Sequence, residues 1–577
     1  VSDALADDRG VCPTTQPFIP NWTTPLARHS DRINFAEMSH KSLRQGLLTV
    51  LLALGLGILA SPHLVYPFGH DQGIYSACGD VIRRGGVPIR DCFESKGPGV
   101  MVLYALALSI HHSTVAVHAF TLAWQALTAL AVGWTARAIF HPAAALPAAA
   151  FYWLIYAGIN YWSMNQAETF SNLFVILGVL LGWRAVRESR LDWRLAFAAG
   201  IAAGVLLWFK YVFALQVAVI GLGLMARAWL GTRSANGALR AGLAFAAGAL
   251  VTNAAVLTYF ALAGGLPALV EQFNVFRELF PLGPPRTLPE IAQLLWRFTD
   301  NGADLTADYK PTIQQWTFFG GGFPLLFILA GLGLLALPVE RARLLPALIS
   351  LLGLFIAGLA VVVIQAKYVQ YHFTLLHGPL AIAAGIGAGA AWRWLREGQA
   401  SALIQRAVGA AGILAAGAAF ILLALRMAPW VLDTYDNVIV QGKTLREMHL
   451  ESRVSAQLYV AEYIAAHTQP DELISLFADA PWVYMLSERR NATRFPFADV
   501  WAPAHGSWTN AEFGRQFYEQ IVRNRPTYFI LTRDDYPWLG VRHIDNWKRL
   551  SDLHAYVEAN YRYEGESGPF LLFRRKD

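Results

Sequence analysis

The sequence predicts a mainly α, polytopic helical membrane protein closed by a small C-terminal α/β domain, and three observations carry that reading. Hydrophobic residues fill 55% of the 577 positions and charged residues only 15%. The apolar residues gather into many runs of about 15 to 23 residues, the length a bilayer core demands. From about residue 435 the composition shifts to short helix-like and strand-like segments in alternation. The net charge of +6 does not point to nucleic acid, because the arginines sit at the ends of apolar runs rather than on one face, where they act as topology signals. Three cysteines, Cys12, Cys78 and Cys92, exclude a disulfide scaffold and a multi-cysteine zinc site. Whether Cys78 and Cys92 are bridged depends on a Cα separation that sequence does not give.

Residues 1–40 are polar and rich in Asp, Pro and Thr, and are expected to form a disordered cytoplasmic arm. They lack the short apolar core of a cleavable signal peptide, and Met38, just ahead of the first apolar run, is a candidate start. The membrane domain is expected over 41–434, with eleven spans near 42–62, 115–137, 142–160, 166–184, 194–209, 211–228, 238–263, 317–337, 344–365, 373–392 and 405–430. The apolar segment 98–113 is not counted among them. Its sixteen residues reach about 24 Å, short of a hydrocarbon core of about 30 Å. Charge agrees: Arg137, Arg184, Arg187, Arg190, Arg194, Arg227, Arg233, Arg240, Arg341, Arg343, Arg393, Arg396 and Arg406 fall in alternate connections, which the positive-inside rule assigns to the cytoplasm only if 98–113 stays at the outer interface.

This topology places the outer connections at 63–114, around Asn165–Glu168, at Lys210, over 264–316 and at Lys367–His372. The 264–316 connection mixes amphipathic pieces with prolines and is long enough to serve as a lid over a cavity at membrane level. An odd number of spans leaves residues 435–577 outside as well. There, helical segments 455–467, 510–524 and 550–560 alternate with strand-like 473–478, 528–532 and 570–573, which argues a partly parallel sheet. No Gly-rich phosphate loop, internal repeat or low-complexity segment is present.

The stretch His70–Tyr104, HDQGIYSACGDVIRRGGVPIRDCFESKGPGVMVLY, concentrates charge at one membrane surface in a chain otherwise poor in it. GHDQGIYS followed by GGVPIRDCFESKGPG and an aromatic-bearing apolar helix resembles the first extracytoplasmic loop of the GT-C glycosyltransferases that use polyprenyl-phosphate sugars, family 39 and the related lipid A aminoarabinose and rhizobial galacturonic acid transferases. The resemblance implies the GT-C fold, a sugar donor on a polyprenyl monophosphate carrier, inversion at the anomeric carbon, and an acceptor glycan, lipid or protein outside a bacterial inner membrane, with the site facing the periplasm. The first acidic residue after span 1, here Asp71, matches the family's catalytic base; the alternative is a capping carboxylate or one paired with Arg83 or Arg84. FESKGPG matches the family's acidic-x-Lys-Pro-Pro pattern, with Glu94 as the acid and Lys96 as the phosphate ligand, and departs from it at Gly97, where the family has proline. Lys96 could equally anchor the interfacial helix by snorkelling.

Lys210 in LLWFKYVF and Lys367 in QAKYVQYHF also stand at outer mouths of spans, where a lysine is costly unless an anion meets it. With Arg83 and Arg84 they complete the candidate donor-phosphate ligands. Glu168, in NQAETFSNLF, matches the family's second-loop acid and is open to three roles: steering the acceptor, binding a divalent ion with Glu94 and His372, or capping its helix. Tyr75, Tyr371 and His372, with Glu94 and Glu168, are candidates for the substrate pocket. A divalent metal ion is the one cofactor these residues leave open. Two other functions compete, an oligosaccharide ligase or polymerase on the same carrier and a transporter. A transporter should carry polar breaks at mid-membrane in paired halves, whereas the polar groups here gather at one face.

Overall fold

The computed structural model describes residues 50–187, 190–279, 287–296, 322–335, 337–366, 368–397, 403–452, 454–498, 508–533 and 543–576. The compact body runs from Leu56 to Asp577; of the separate unit Val1–Gly55, only 50–55 are described. The expected arm 1–40 therefore lies outside the described residues.

Among the described residues, each segment expected to span contains a helix. α1 (Val50–Val65) is followed by α2 (His70–Arg83), which is bent 79° from it, and by α3 (Pro98–Ile110). Then come α4 (Thr114–Ile139), α5 (Ala145–Ala157), α6 (Ala167–Arg184), a two-stranded hairpin of β1 (Val186–Arg187) and β2 (Arg190–Leu191), α7 (Trp193–Leu206), α8 (Ala214–Thr232) and α9 (Ala235–Leu262). α10 (Leu266–Leu279) and α11 (Leu288–Trp296) lie in the long connection. α12 (Phe323–Leu335), α13 (Leu337–Gln365), α14 (His377–Glu397) and α15 (Leu403–Leu425) complete the bundle. Among the described residues six helical stretches are long and apolar enough to cross a membrane unaided, and α3 is not one of them. Leu243, Leu250, Leu352, Ile356, Leu414 and Ile421 are exposed on α9, α13 and α15, a pattern that suits a lipid rather than an aqueous surround.

Small residues set how closely the helices approach. α7 and α9 cross with Gly200 and Gly204 against Gly248: a Cβ at Gly200 would lie 2.0 Å from the Phe245 carbonyl oxygen, and one at Gly248 2.0 Å from that of Phe197. Backbones can approach this closely only where no side chain intervenes.

After α16 (Ala428–Tyr435) and α17 (Leu445–Leu450), the chain forms α18 (Ser455–His467), β3 (Leu473–Phe477), α19 (Trp482–Ser487), β4 (Arg490–Asn491), α20 (Trp508–Asn524), β5 (Tyr528–Thr532), α21 (His543–Arg549), α22 (Ser551–Asn560), β6 (Tyr561–Ser567) and β7 (Phe570–Arg575). The sheet order is β4-β3-β5-β7-β6, with β3 parallel to β4 and β5 and the β5-β7-β6 edge antiparallel. The three expected strands are the central ones, buried by their apolar runs. β4 and the mostly exposed β6 were not legible because neither has such a run. This domain packs on the same end of the bundle as α2. Trp482 sits where a Cβ at Gly73 would meet its backbone nitrogen at 2.9 Å, and the Phe68 and Trp482 rings lie 5.8 Å apart.

Candidate active site

α2 is positioned by Gln72, whose side-chain amide donates to the carbonyls of Tyr161, Trp162 and Met164 at 2.7, 3.0 and 2.9 Å, fixing the first turn to the α5–α6 connection. That turn carries Asp71, where a carboxylate also gains from the helix dipole. Its oxygen lies 2.9 Å from Lys96 Nζ, and the Tyr371 hydroxyl hydrogen-bonds to it. Lys96 stands 5.0 Å from the Tyr75 ring centroid and 3.8 Å from Glu94. Burial alone would raise the Asp71 carboxyl, but the charges of Lys96 and His70 and the hydrogen bonds from Lys96 and Tyr371 outweigh it and hold the group well below the usual carboxylate range. Burial lowers the Lys96 ammonium, and Asp71 and Glu94 more than restore it, so Lys96 stays charged.

A second buried pair stands beside the first. Glu168, 0% exposed in the first turn of α6, accepts from Lys210, which is 4% exposed and also donates to the Gln365 side chain at 2.9 Å. Burial pushes the Lys210 ammonium down against the opposing pull of Glu168. His372 approaches Glu168 at 3.8 Å, and the His372 and Tyr371 rings are 4.7 Å apart. Tyr371 bridges the two pairs, bonded to Asp71 and lying 5.4 Å below Lys210.

The two lysines share a backbone frame. Gly97 N–H, next to Lys96, donates to the carbonyl of Phe209, next to Lys210, at 2.9 Å, and Gly99 N–H donates to that of Trp208 at 2.8 Å. A Cβ at Gly97 would lie 2.2 Å from the Trp208 oxygen. A proline at 97 would lack the N–H that ties this loop to Phe209, and any side chain there would meet the Trp208 carbonyl. Cys78 and Cys92 form a disulfide, Cα atoms 5.2 Å apart, that clamps the Glu94–Lys96 loop to α2.

Asp71, Tyr75, Glu94, Lys96, Glu168, Lys210, Tyr371 and His372 thus converge. Arg83 and Arg84 do not. They pair with Asp80 at 2.7 Å and are partly exposed, twelve and thirteen residues after Asp71 and so about 18 to 20 Å from it along α2. Asp71 is correspondingly not the arginine-paired carboxylate that sequence left open. Lys367 lies outside the described residues. The metal set fails as a set: among the described residues no three His, Cys, Asp or Glu side chains gather as ligands, Glu168 being taken by Lys210 and Glu94 turned onto Ser95 and the Lys96 backbone. Gln365 was missed, because a polar residue closing an apolar span two positions before Lys367 is too ordinary to mark a site.

No protein-family profile and no curated protein matches the sequence. Solved structures do. ArnT from Cupriavidus metallidurans, bound to undecaprenyl phosphate, superposes with TM-score 0.50 at 14% identity, covering 92% of this chain and 98% of ArnT. Its apo form gives 0.52 over the same shares at the same identity. The apo oligosaccharyltransferase of Archaeoglobus fulgidus gives 0.45 at 14% identity, covering 84% of this chain and 69% of that one. At such identity the ArnT likeness is one of fold alone, shared over nearly the whole of both chains.

Proposed function

We propose that this protein is a GT-C glycosyltransferase that moves a sugar from a polyprenyl monophosphate carrier to an acceptor hydroxyl outside the bacterial cytoplasmic membrane. The observation that carries the reading is the pairing of a first-turn carboxylate, Asp71, with Lys96 at 2.9 Å, beside a second buried lysine, Lys210, across Tyr371. In ArnT, the fold neighbour, the bound lipid is undecaprenyl phosphate. A carrier phosphate meets two ammonium groups here, each able to make a charge-assisted bond.

The chemistry follows from competition for Lys96. As the donor phosphate takes over Lys96, Asp71 loses the cation that depresses its basicity and becomes a better proton acceptor. The acceptor oxygen attacks the anomeric carbon from the face opposite the phosphate while its proton passes to Asp71. The bond from that carbon to the phosphate oxygen breaks, its electron pair leaves with the carrier phosphate, and Lys96 and Lys210 stabilise the added charge. Inversion results from the single displacement. Residues 41–434 make the catalytic membrane domain in this reading, and 435–577, packed on α2, cover the site on the periplasmic side and select the acceptor. The test is release of polyprenyl phosphate from a panel of polyprenyl-phosphate sugars by purified protein in lipid nanodiscs. Release from at least one donor, lost in Lys96→Ala, is expected. Inertness toward every donor, with the carrier phosphate failing to bind, would contradict the proposal.

A further inference from the structure

Among the described residues of the long connection, a buried glutamine side chain reaches the lysine loops. Gln272 on α10 is fully buried, and its amide nitrogen donates to the carbonyls of Glu94 at 2.8 Å and Lys96 at 2.5 Å. Its amide oxygen accepts from the Tyr211 hydroxyl at 2.8 Å. The two donor hydrogens face carbonyls and the acceptor faces a hydroxyl, so every group is matched in type. Gln272 therefore ties the backbone around Lys96 to the residue that follows Lys210, in addition to the Gly97 and Gly99 backbone bonds that join the two loops. The preceding residue faces the other way: Glu271 accepts from Arg494 at 2.6 Å and from Gln516 at 3.0 Å, both in the C-terminal domain. Arg494 is itself tied to the lysine loop. Its carbonyl accepts from Phe93 N–H at 2.6 Å, and its guanidinium lies 5.1 Å from the Phe93 ring centroid.

We infer that Gln272 is a positioning residue that sets the relative placement of Lys96 and Lys210, and that Glu271 makes this placement depend on how the C-terminal domain is seated. The inference rests on the proposed donor-phosphate role of the lysines and goes beyond it. Gln272 touches no reacting atom, and its effect runs through the two loops it joins.

The test uses the full chain in nanodiscs with sugar-free undecaprenyl phosphate as probe, and compares the parent with Gln272→Glu, Glu271→Gln and Lys96→Ala. Glutamate at 272 keeps the size and the acceptor toward Tyr211 but cannot donate to two carbonyls. The expected result is carrier affinity at least tenfold lower in Gln272→Glu, and in Glu271→Gln a raised donor KM with kcat at saturation within about twofold of the parent. Parent-like carrier affinity in Gln272→Glu, with affinity lost in Lys96→Ala, overturns the inference and leaves the proposed function standing. Parent-like affinity in Lys96→Ala overturns both. If Gln272→Glu does not fold, Tyr211→Phe removes one of the three bonds and is read by the same two outcomes.

Discussion

Lys210→Met separates two roles that one buried lysine could play. The side chain is 4% exposed and bonded to Glu168, which is 0% exposed and whose second carboxylate oxygen has no hydrogen-bond partner. Removing the ammonium strands a charge in a water-poor pocket, and breaking such a pair from one side costs about 3 to 5 kcal/mol. Most of that cost belongs to the orphaned carboxylate, so Lys210→Met/Glu168→Gln should recover most of the stability. Donor affinity should not recover. A lost charge-assisted contact to phosphate is worth about 1.5 to 3 kcal/mol, or about 10-fold to 150-fold in affinity. Denaturant unfolding and carrier titration on the parent, both single variants and the double variant supply the cycle. Recovery of donor affinity together with stability in the double variant would refute a phosphate role and leave Lys210 as a counter-ion for Glu168.

Three further outcomes follow from the same geometry. Arg83→Gln and Arg84→Gln should leave carrier affinity at the parent value and cost under about 1 kcal/mol each, because both arginines belong to a partly exposed cluster on Asp80; a tenfold loss of affinity in either would return them to the donor site. Cys78→Ser/Cys92→Ser opens a bridge between residues 14 apart, worth about 3 kcal/mol in the chain-entropy account, and should lower both the melting temperature and donor affinity. An unchanged melting temperature would contradict the clamp. For pH the sign is set by the depressed Asp71 carboxyl: its pairing with Lys96 stabilises fully above the unfolded value of about 3.9 and is lost as pH falls through the lower folded value. Stability of the parent relative to Asp71→Asn should thus be constant from pH 8 to about 5 and shrink below about pH 4; a difference that shrinks near neutral pH would show the carboxyl is not held down.

The membrane helices and the central strands were legible because each is written locally, as an uninterrupted apolar run of the right length. The lysines and carboxylates were legible for the opposite reason. Lys96, Glu168 and Lys210 stand out by being charged at the mouths of apolar spans, and the structure brings them together with Asp71. Arg83 and Arg84 carry the same local signal, yet Asp80, three and four residues earlier on the same helix, satisfies both, a contact that helix periodicity could have supplied. Gln272 and Gln365 were not legible. A glutamine in an amphipathic helix or at a span's end is ordinary, and only tertiary distances of 2.5 to 2.9 Å to residues far along the chain reveal what they hold. Gly97 looked like a weakened motif and proved to be a contact requirement, because the Trp208 carbonyl that excludes a side chain comes from more than a hundred residues later.

The central claim, that Asp71 takes the acceptor's proton, is tested most directly by turnover of a polyprenyl-phosphate sugar with matched amounts of parent and Asp71→Asn, alongside carrier binding. Asparagine keeps the size and much of the hydrogen bonding but accepts no proton, so turnover should fall by about 10² to 10⁴. Carrier binding should hold or tighten, since Lys96 is released from its partner at 2.9 Å. Turnover within a few fold of the parent, with a lowered melting temperature, would contradict the account and move the base to Glu94 or Glu168.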